Sequence, residues 1–240
     1  MKIAGLQKNS FVDYPGNIAA VVFTLGCNLD CYYCHNRHLI SHEGVQQLYD
    51  TDTVLEFLAS RTSFLDGVVI SGGEPTLQPN LEEFIRKVKR LGYPVKLDTN
   101  GTRPRLLKKL IENKLVDYVA MDIKAPFHRY AEICGVDIPT CDIEESINIL
   151  MSAGCDYEFR TTFVPELEKE DIVEIAKMIR GARRYVLQQF RLPPQESLSA
   201  HHKGSIKDIR LFRTPHPPST FTQTVSDIEY LVETCLTRGI

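Results

Sequence analysis

The chain has 240 residues, 43% of them hydrophobic, enough for one sizeable core and ordinary for a globular domain. Its 28 basic residues are interspersed with 31 acidic ones, and a formal net charge of -3 lacks the basic excess of a nucleic-acid reader. No apolar run approaches the roughly 18 residues that a bilayer span requires, so neither nucleic acid nor membrane is expected as a partner.

In chain order, the first notable stretch is the apolar run Ile18 to Cys27, which ends in Leu25, Gly26 and Cys27 like a lipoprotein cleavage site. Its flanks oppose that reading: Asp13, Pro15 and Gly16 precede it in place of a basic segment, and the cysteine opens a dense cysteine cluster. Seven cysteines, three of them within eight residues, suit reduced thiols at a metal site better than a disulfide framework, and so a cytoplasmic setting. From Ile18 onward short β-branched runs alternate with amphipathic stretches, the pattern of parallel strands joined by helices. Six strands are predicted: Ala19 to Leu25, Gly67 to Ser71, Pro94 to Asp98, Asp117 to Asp122, Tyr157 to Phe163 and Tyr185 to Phe190, each apolar enough for burial on both faces.

Between them helical spacing links Leu81, Phe84, Ile85, Val88 and Leu91, then Ile143, Ile147 and Leu150, then Ile172, Ile175, Ala176 and Ile179. Asn80 is expected to cap the first of these helices and Gly92 to end it. Residues 191 to 221 carry five prolines and little periodicity and read as an irregular loop or lid. From Thr222 to Arg238 the spacing of Val225, Ile228, Leu231, Val232, Cys235 and Leu236 predicts a closing helix. With no linker, repeat or low-complexity block, residues 1 to 240 are expected to form a single α/β domain.

Cys27, Cys31 and Cys34, spaced C-x3-C-x2-C, place three thiolates on one short loop after a buried strand. Soft thiolates favour an iron-sulfur cluster or zinc. Zinc structural sites close with four ligands; His35 is badly placed beside Cys34, although His38 or a distant cysteine could serve. Three thiolates on a four-iron cluster would instead leave one iron open to a substrate or cofactor.

The run Gly26-Cys27-Asn28-Leu29-Asp30-Cys31-Tyr32-Tyr33-Cys34 resembles the signature loop of the radical S-adenosylmethionine (SAM) superfamily. The resemblance implies a partial (β/α)6 barrel, a [4Fe-4S] cluster on Cys27, Cys31 and Cys34, and SAM chelated at the open iron and cleaved to methionine and a 5′-deoxyadenosyl radical. Ser71-Gly72-Gly73-Glu74-Pro75 after the second predicted strand matches the superfamily motif for the SAM amino group; alone it would be a tight turn. Asp98-Thr99-Asn100-Gly101 and Asp122-Ile123-Lys124 close the next two strands. Singly these could be helix caps or surface ion pairs. Together they are similar to the glycyl-radical-enzyme activating proteins, in which the matching acids help to hold a monovalent cation and the SAM carboxylate and the matching lysine lies at the active site. Arg160 is either a further SAM contact, as the resemblance implies, or a salt bridge to a neighbouring helix.

Cys34-His35-Asn36 and Phe11-Val12-Asp13-Tyr14-Pro15-Gly16 also resemble the activators. Ala4-Gly5-Leu6-Gln7-Lys8, Met121 to Pro126 and Gln188 to Arg191 are most similar to anaerobic ribonucleoside-triphosphate reductase activating proteins. The resemblance covers the chain up to about Phe190. It implies hydrogen abstraction from a glycine of a partner glycyl radical enzyme, with reduced flavodoxin or ferredoxin as the electron donor. The rival readings are radical SAM chemistry on a small molecule, as in carboxy-deazaguanine synthases, and a zinc-binding or electron-transfer protein without SAM chemistry. No inserted cysteine-rich segment follows the signature loop, so one cluster is expected. Cys134, Cys141, Cys155 and Cys235 read as small buried hydrophobes, and His201, His202 and Lys203 as part of a solvated loop.

Overall fold

The computed structural model describes residues 1 to 41, 45, 47 to 194 and 208 to 240. His201, His202 and Lys203, with the rest of residues 195 to 207 of the proline-rich stretch, lie outside the described residues. Within them a single sheet of eight strands runs in sequence order: β1 (Ile3–Ser10), β2 (Ala19–Thr24), β3 (Gly67–Gly72), β4 (Val95–Thr99), β5 (Tyr118–Asp122), β6 (Asp156–Phe163), β7 (Tyr185–Gln189) and β8 (Cys235–Arg238). The pairs from β2 to β8 are all parallel, and only β1 runs antiparallel, against β2. Helical crossovers make this possible, because parallel neighbours cannot be joined by a tight turn. They are α1 (Thr51–Ala59), α2 (Leu81–Arg90), α3 (Pro104–Glu112), α4 (Tyr130–Cys134), α5 (Thr140–Met151), α6 (Lys169–Met178) and α7 (Pro218–Ile228).

The six predicted strands are present with ends shifted by a residue at most, and the three predicted helical stripes bury the expected residues except Leu91, which is half-buried. The sheet separates two apolar layers. Ala20, Val22, Val68, Ile70, Leu97, Val119 and Phe159 pack outward with Phe84, Leu107, Ile147 and Ile175 of the helices. Alternate residues Ala19, Val21, Val69, Tyr118 and Ala120 form a small inner cluster with Tyr14. The sheet is curled: Tyr14, just ahead of β2, meets Tyr118 of β5 with ring centroids 5.9 Å apart, a contact a flat sheet would not allow.

Several expectations are corrected. The strands are not apolar on both faces: from β4 to β6 the inner face carries Lys96, Asp98, Asp122, Glu158 and Arg160, so the lumen beneath the strand ends is polar. The tail is not one helix over 222 to 238. The helix starts earlier, at Pro218, and ends at Ile228; one 3-10 turn follows (Glu229–Leu231), and then β8 pairs with β7 in register Val186 to Leu236. The apolar spacing to Leu231 is helical, but the next segment does more as a strand, because it satisfies the backbone edge that β7 would otherwise expose. Residues 191 to 221 are accordingly less irregular than expected at their C-terminal end, where Ile209–Phe212 forms a 3-10 turn. Gly92 ends α2 at φ +92°, as expected, but Asn80 caps it without a side-chain hydrogen bond. No helix among the described residues is long and apolar enough to cross a membrane.

Candidate active site

The C-terminal ends of β2 to β7 open into one cavity of about 520 Å³. All ten residues singled out in the sequence line it: Cys27, Cys31, Cys34, Gly72, Gly73, Glu74, Asp98, Asp122, Lys124 and Arg160. This is where an open parallel sheet gathers ligands, since the strand ends project loops over a common crevice.

The cysteine loop leaves β2 at Leu25 and is held from several sides. Gly26 N–H donates to Leu39 O at 2.7 Å, and Cys34 N–H closes a turn on Cys31 O at 3.1 Å. Arg37 Nη1 donates to Asp30 O and Cys31 O, and its guanidinium pairs with the Asp30 carboxylate at 2.5 Å. Leu29 N–H points at Cys27 Sγ from 3.4 Å. Each of the seven cysteines is a free thiol. Burial pushes the Cys27 thiol up to about 12 and the Cys34 thiol to about 11, while the neighbouring Cys134 thiol and then burial hold Cys31 well above its ordinary value. A metal bound here would displace these protons. Among the described residues no three His, Cys, Asp or Glu side chains converge as the shell of a single metal ion. The three thiols line one cavity together, and soft thiolate donors of this kind fit an iron-sulfur cluster.

The turn after β3 presses directly on this loop. Gly72 has φ +112°, and a Cβ on Gly73 would stand 2.1 Å from Gly26 O, so only glycine permits the approach. Gly73 N–H donates to Thr24 O and Glu74 N–H to Gly26 O, at 2.9 and 2.7 Å. The Glu74 side chain is 1% exposed. Its Oε1 accepts from Thr76 N–H at 3.0 Å, from the Thr76 hydroxyl at 2.5 Å and from the Thr99 hydroxyl at 2.8 Å; Oε2 accepts from Asn100 N–H at 2.7 Å. Burial raises its carboxyl above the ordinary value, and the four donors oppose that rise. Expected as a ligand for an ammonium group, Glu74 is thus also a brace between the turns after β3 and β4, with spare acceptor capacity on Oε2.

Deeper in the lumen stands an ionic network. Arg160 Nε donates to Asp122 Oδ1 at 2.8 Å and its Nη1 reaches Asp98 Oδ1 at 3.5 Å. Lys124 Nζ donates to Asp122 Oδ2 at 3.0 Å, Ser71 Oγ to Asp98 Oδ2 at 3.0 Å, and Lys96 Nζ is bonded to Asp98 Oδ1. Arg160 therefore bridges two strand-end carboxylates across the sheet and not a neighbouring helix. Burial alone would raise both carboxyls; Arg160 and Lys96 outweigh it at Asp98, and Arg160 and Lys124 at Asp122, so both are held below the ordinary carboxylate range. Burial would lower the Lys124 ammonium, but Asp122 and Cys31 more than reverse that. Arg160 and Lys124 both line the cavity, and their donors suit an anionic group such as an amino-acid carboxylate.

Sequence reasoning missed Lys96, Thr162 and Arg238. The last two line the cavity, while Lys96, 1% exposed, lies under it. Period-two counting back from Asp98 reaches Lys96 and forward from Arg160 reaches Thr162, so these were findable. Arg238, within 3.3 Å of Glu158, was hidden by reading the tail as a helix.

Comparison with known proteins agrees with this geometry. The family model described as the radical SAM superfamily matches residues 21 to 179. A protein of Methanocaldococcus jannaschii, provisionally named a glycyl-radical enzyme activating enzyme, is 40% identical over 196 residues, which is 78% of this chain and 79% of its own. The pyruvate formate-lyase-activating enzyme of Clostridium pasteurianum is 29% identical over 204 residues, 82% of this chain and 83% of its own. Among solved structures, Streptococcus suis SuiB bound to S-adenosylmethionine superposes with a TM-score of 0.62 at 13% identity over 90% of this chain and 48% of that one. The chain thus spans about half of that protein, and the likeness shows the fold, a partial barrel.

Two outcomes follow from the site. Gly73→Ala should push the turn off Gly26 and displace Cys27, so iron and sulfide uptake should fall well below wild type while circular dichroism stays native; full uptake would contradict the contact. Because Asp98 and Asp122 titrate below their unfolded value of about 3.9, they add stability above that pH and lose it as pH falls through their folded values. Melting curves from pH 5 down to pH 2 should show a steeper loss for wild type than for Arg160→Ala, in which one cause of the depression is gone.

Proposed function

The chain belongs to the radical SAM superfamily, and from that premise we propose that it is a glycyl-radical-enzyme activating enzyme whose partner is an anaerobic ribonucleotide reductase. The observation that carries the reading is the convergence of three thiols, the Gly72-Gly73-Glu74 turn and the Asp98, Asp122, Lys124 and Arg160 network on one cavity. The 40% identical relative supports activation; the choice of reductase rests on the sequence segments around Gly5, Lys124 and Gln189.

In this reading Cys27, Cys31 and Cys34 hold a [4Fe-4S] cluster, which supplies the electron that splits SAM to methionine and a 5′-deoxyadenosyl radical. Glu74 Oε2 and the carbonyls of the Gly72-Gly73 turn receive the amino group of SAM. Arg160 and Lys124 receive its carboxylate. Lys124, anchored through Asp122, stands at the edge of the reacting centre. A monovalent cation between Asp98 and Asp122 belongs to the same reading and would share the oxygens now bonded by Arg160 and Lys124. The free thiols suit a reducing cytoplasm, and reduced flavodoxin or ferredoxin would deliver the electron.

The sheet supports access for a protein substrate. β1 and β8 are its two ends and do not pair with each other, so the barrel stays open on one side, where a glycine-bearing loop could bring its Cα to the radical carbon. Residues 1 to 240 are read as one radical SAM core domain, because β8 completes the sheet that β1 begins.

Anaerobic reconstitution, reduction and addition of SAM should yield 5′-deoxyadenosine, and Cys27→Ala, Cys31→Ala and Cys34→Ala should each abolish it. With an anaerobic ribonucleotide reductase present, electron paramagnetic resonance should show a glycyl radical on the reductase. Deoxyadenosine without that radical would move the reading to another glycyl radical enzyme or a small molecule. Replacing potassium with tetramethylammonium should weaken SAM binding several-fold; unchanged binding would remove the cation from the site.

A further inference from the structure

The inner wall of β6, β7 and β8 carries polar groups that neither the thiols nor the assigned SAM contacts use. Thr162 pairs in register with Gln188, and Gln188 with Arg238, so the three form one lateral row across three parallel strands. Residues level with one another on neighbouring strands share a face of the sheet, and residues two apart along a strand do so too. Thr162 therefore stands on the face of Arg160, nearer the mouth, while the alternate residues Phe163 and Leu187 pack in the outer core. All three members of the row line the cavity. With neighbouring strands about 4.8 Å apart the row spans roughly 10 Å. It leads from the strand of Arg160 to β8, which borders the open side.

Arg238 donates to Glu158 from Nη1 at 3.4 Å and from Nη2 at 3.3 Å, so the one charge in the row is paired. The Thr162 hydroxyl and the Gln188 carboxamide, both half-buried, have no hydrogen-bond partner among the described residues. Polar groups withdrawn from water are normally satisfied, and these two face the cavity. A carboxamide has the donor and the acceptor of a peptide group, so Gln188 can bond both the N–H and the C=O of a peptide chain, and a hydroxyl can serve either. A row without unpaired charge suits uncharged peptide groups better than an anionic small molecule. We propose that Thr162, Gln188 and Arg238 receive the backbone of the partner's glycine-bearing segment, with Gln188 as the principal contact. The inference rests on the activation reading. Glycine has no side chain to hold, so its Cα can be placed only by gripping the peptide groups on either side of it, and a row of hydrogen-bonding groups that runs in from the open side does this.

The test compares reconstituted wild type, Gln188→Met and Thr162→Val at saturating SAM, with an anaerobic ribonucleotide reductase as the varied substrate. Glycyl radical is counted by electron paramagnetic resonance, and SAM affinity and iron content are measured on each sample. Methionine keeps the length of glutamine without its donor and acceptor, and valine keeps the shape of threonine without the hydroxyl. Gln188→Met should lower kcat/KM for radical formation about tenfold, the loss of roughly two hydrogen bonds, while SAM affinity stays within about twofold of wild type. Thr162→Val should shift the same way by a smaller factor, and it carries the comparison if methionine lowers iron content. Unchanged kcat/KM in both variants would overturn the proposal. SAM affinity that falls in step with kcat/KM would overturn it too, by giving the row to the cofactor. Wild type that cleaves SAM but forms no radical on the reductase would overturn the choice of partner on which the proposal stands.

Discussion

The active-site end of the molecule is organised around one buried carboxylate. Glu74 follows β3, yet its oxygens are bonded to the Thr99 hydroxyl and Asn100 N–H after β4, while its own N–H donates to Gly26 O just after β2. Three successive strand ends are thus joined through a single residue. Withdrawing a carboxylate from water costs several kcal/mol, and charge-assisted hydrogen bonds to the ionised form offset it. Two of the four bonds come from Thr76 of its own turn and two from Thr99 and Asn100 after β4, so the carboxylate is fully satisfied only when both turns are in place. Asn100 extends the link, since its Nδ2 donates to Asn28 Oδ1 within the cysteine loop at 3.0 Å.

The ionic network below is a second consequence of curling a parallel sheet. On a flat sheet, side chains two strands apart would stand too far apart for an ion pair; here Arg160 of β6 reaches Asp98 of β4, and Arg238 of β8 reaches Glu158 of β6. The inner face is narrow, so its residues are either small, as Ala19 and Ala120 are, or long and paired. Lys96, buried against Asp98 and lying over the Tyr118 ring at 5.9 Å, shows the second solution. A charge buried in this way is tolerated because each member has a partner of opposite sign, and removing one member would strand another. The network is therefore a rigid floor: it presents fixed charge upward without having to reorganise when an anionic ligand arrives.

What was legible in the sequence divides along the same line. The strands β2 to β7 and the ten cavity residues could be read because each strand is a compact apolar run that ends in a chemically distinctive turn, and position at the strand end already implies convergence. Local pattern could not report pairing between distant segments. β1 has mixed burial and runs antiparallel, and the short β8 is mostly exposed, so neither carries the apolar signal of an inner strand; each is a strand because its neighbour offers an edge. The same limit hid the second role of Glu74, whose bracing partners lie 25 and 26 residues away.

The arrangement separates the reaction from the choice of what it acts on. The residues assigned to the cluster and SAM stand on turns locked to one another and on the inner faces of central strands, where a small displacement would break several bonds at once. The rim is built otherwise. Asp13 enters the cavity from the segment between β1 and β2, beside the exposed Phe11 and Val12, and Arg238 and Gly239 enter from the other end of the chain, where Arg191 Nη2 donates to Gly239 O at 3.1 Å. Asp13 is bonded within its own segment, by the Ser10 hydroxyl, whereas Arg238 is tied to the ionic network through Glu158 and Arg191 O to His35 beside the cysteine loop. Variation that leaves the locked turns in place is therefore easiest at exposed rim positions such as Phe11 and Val12, which carry no bond to the cysteine loop among the described residues.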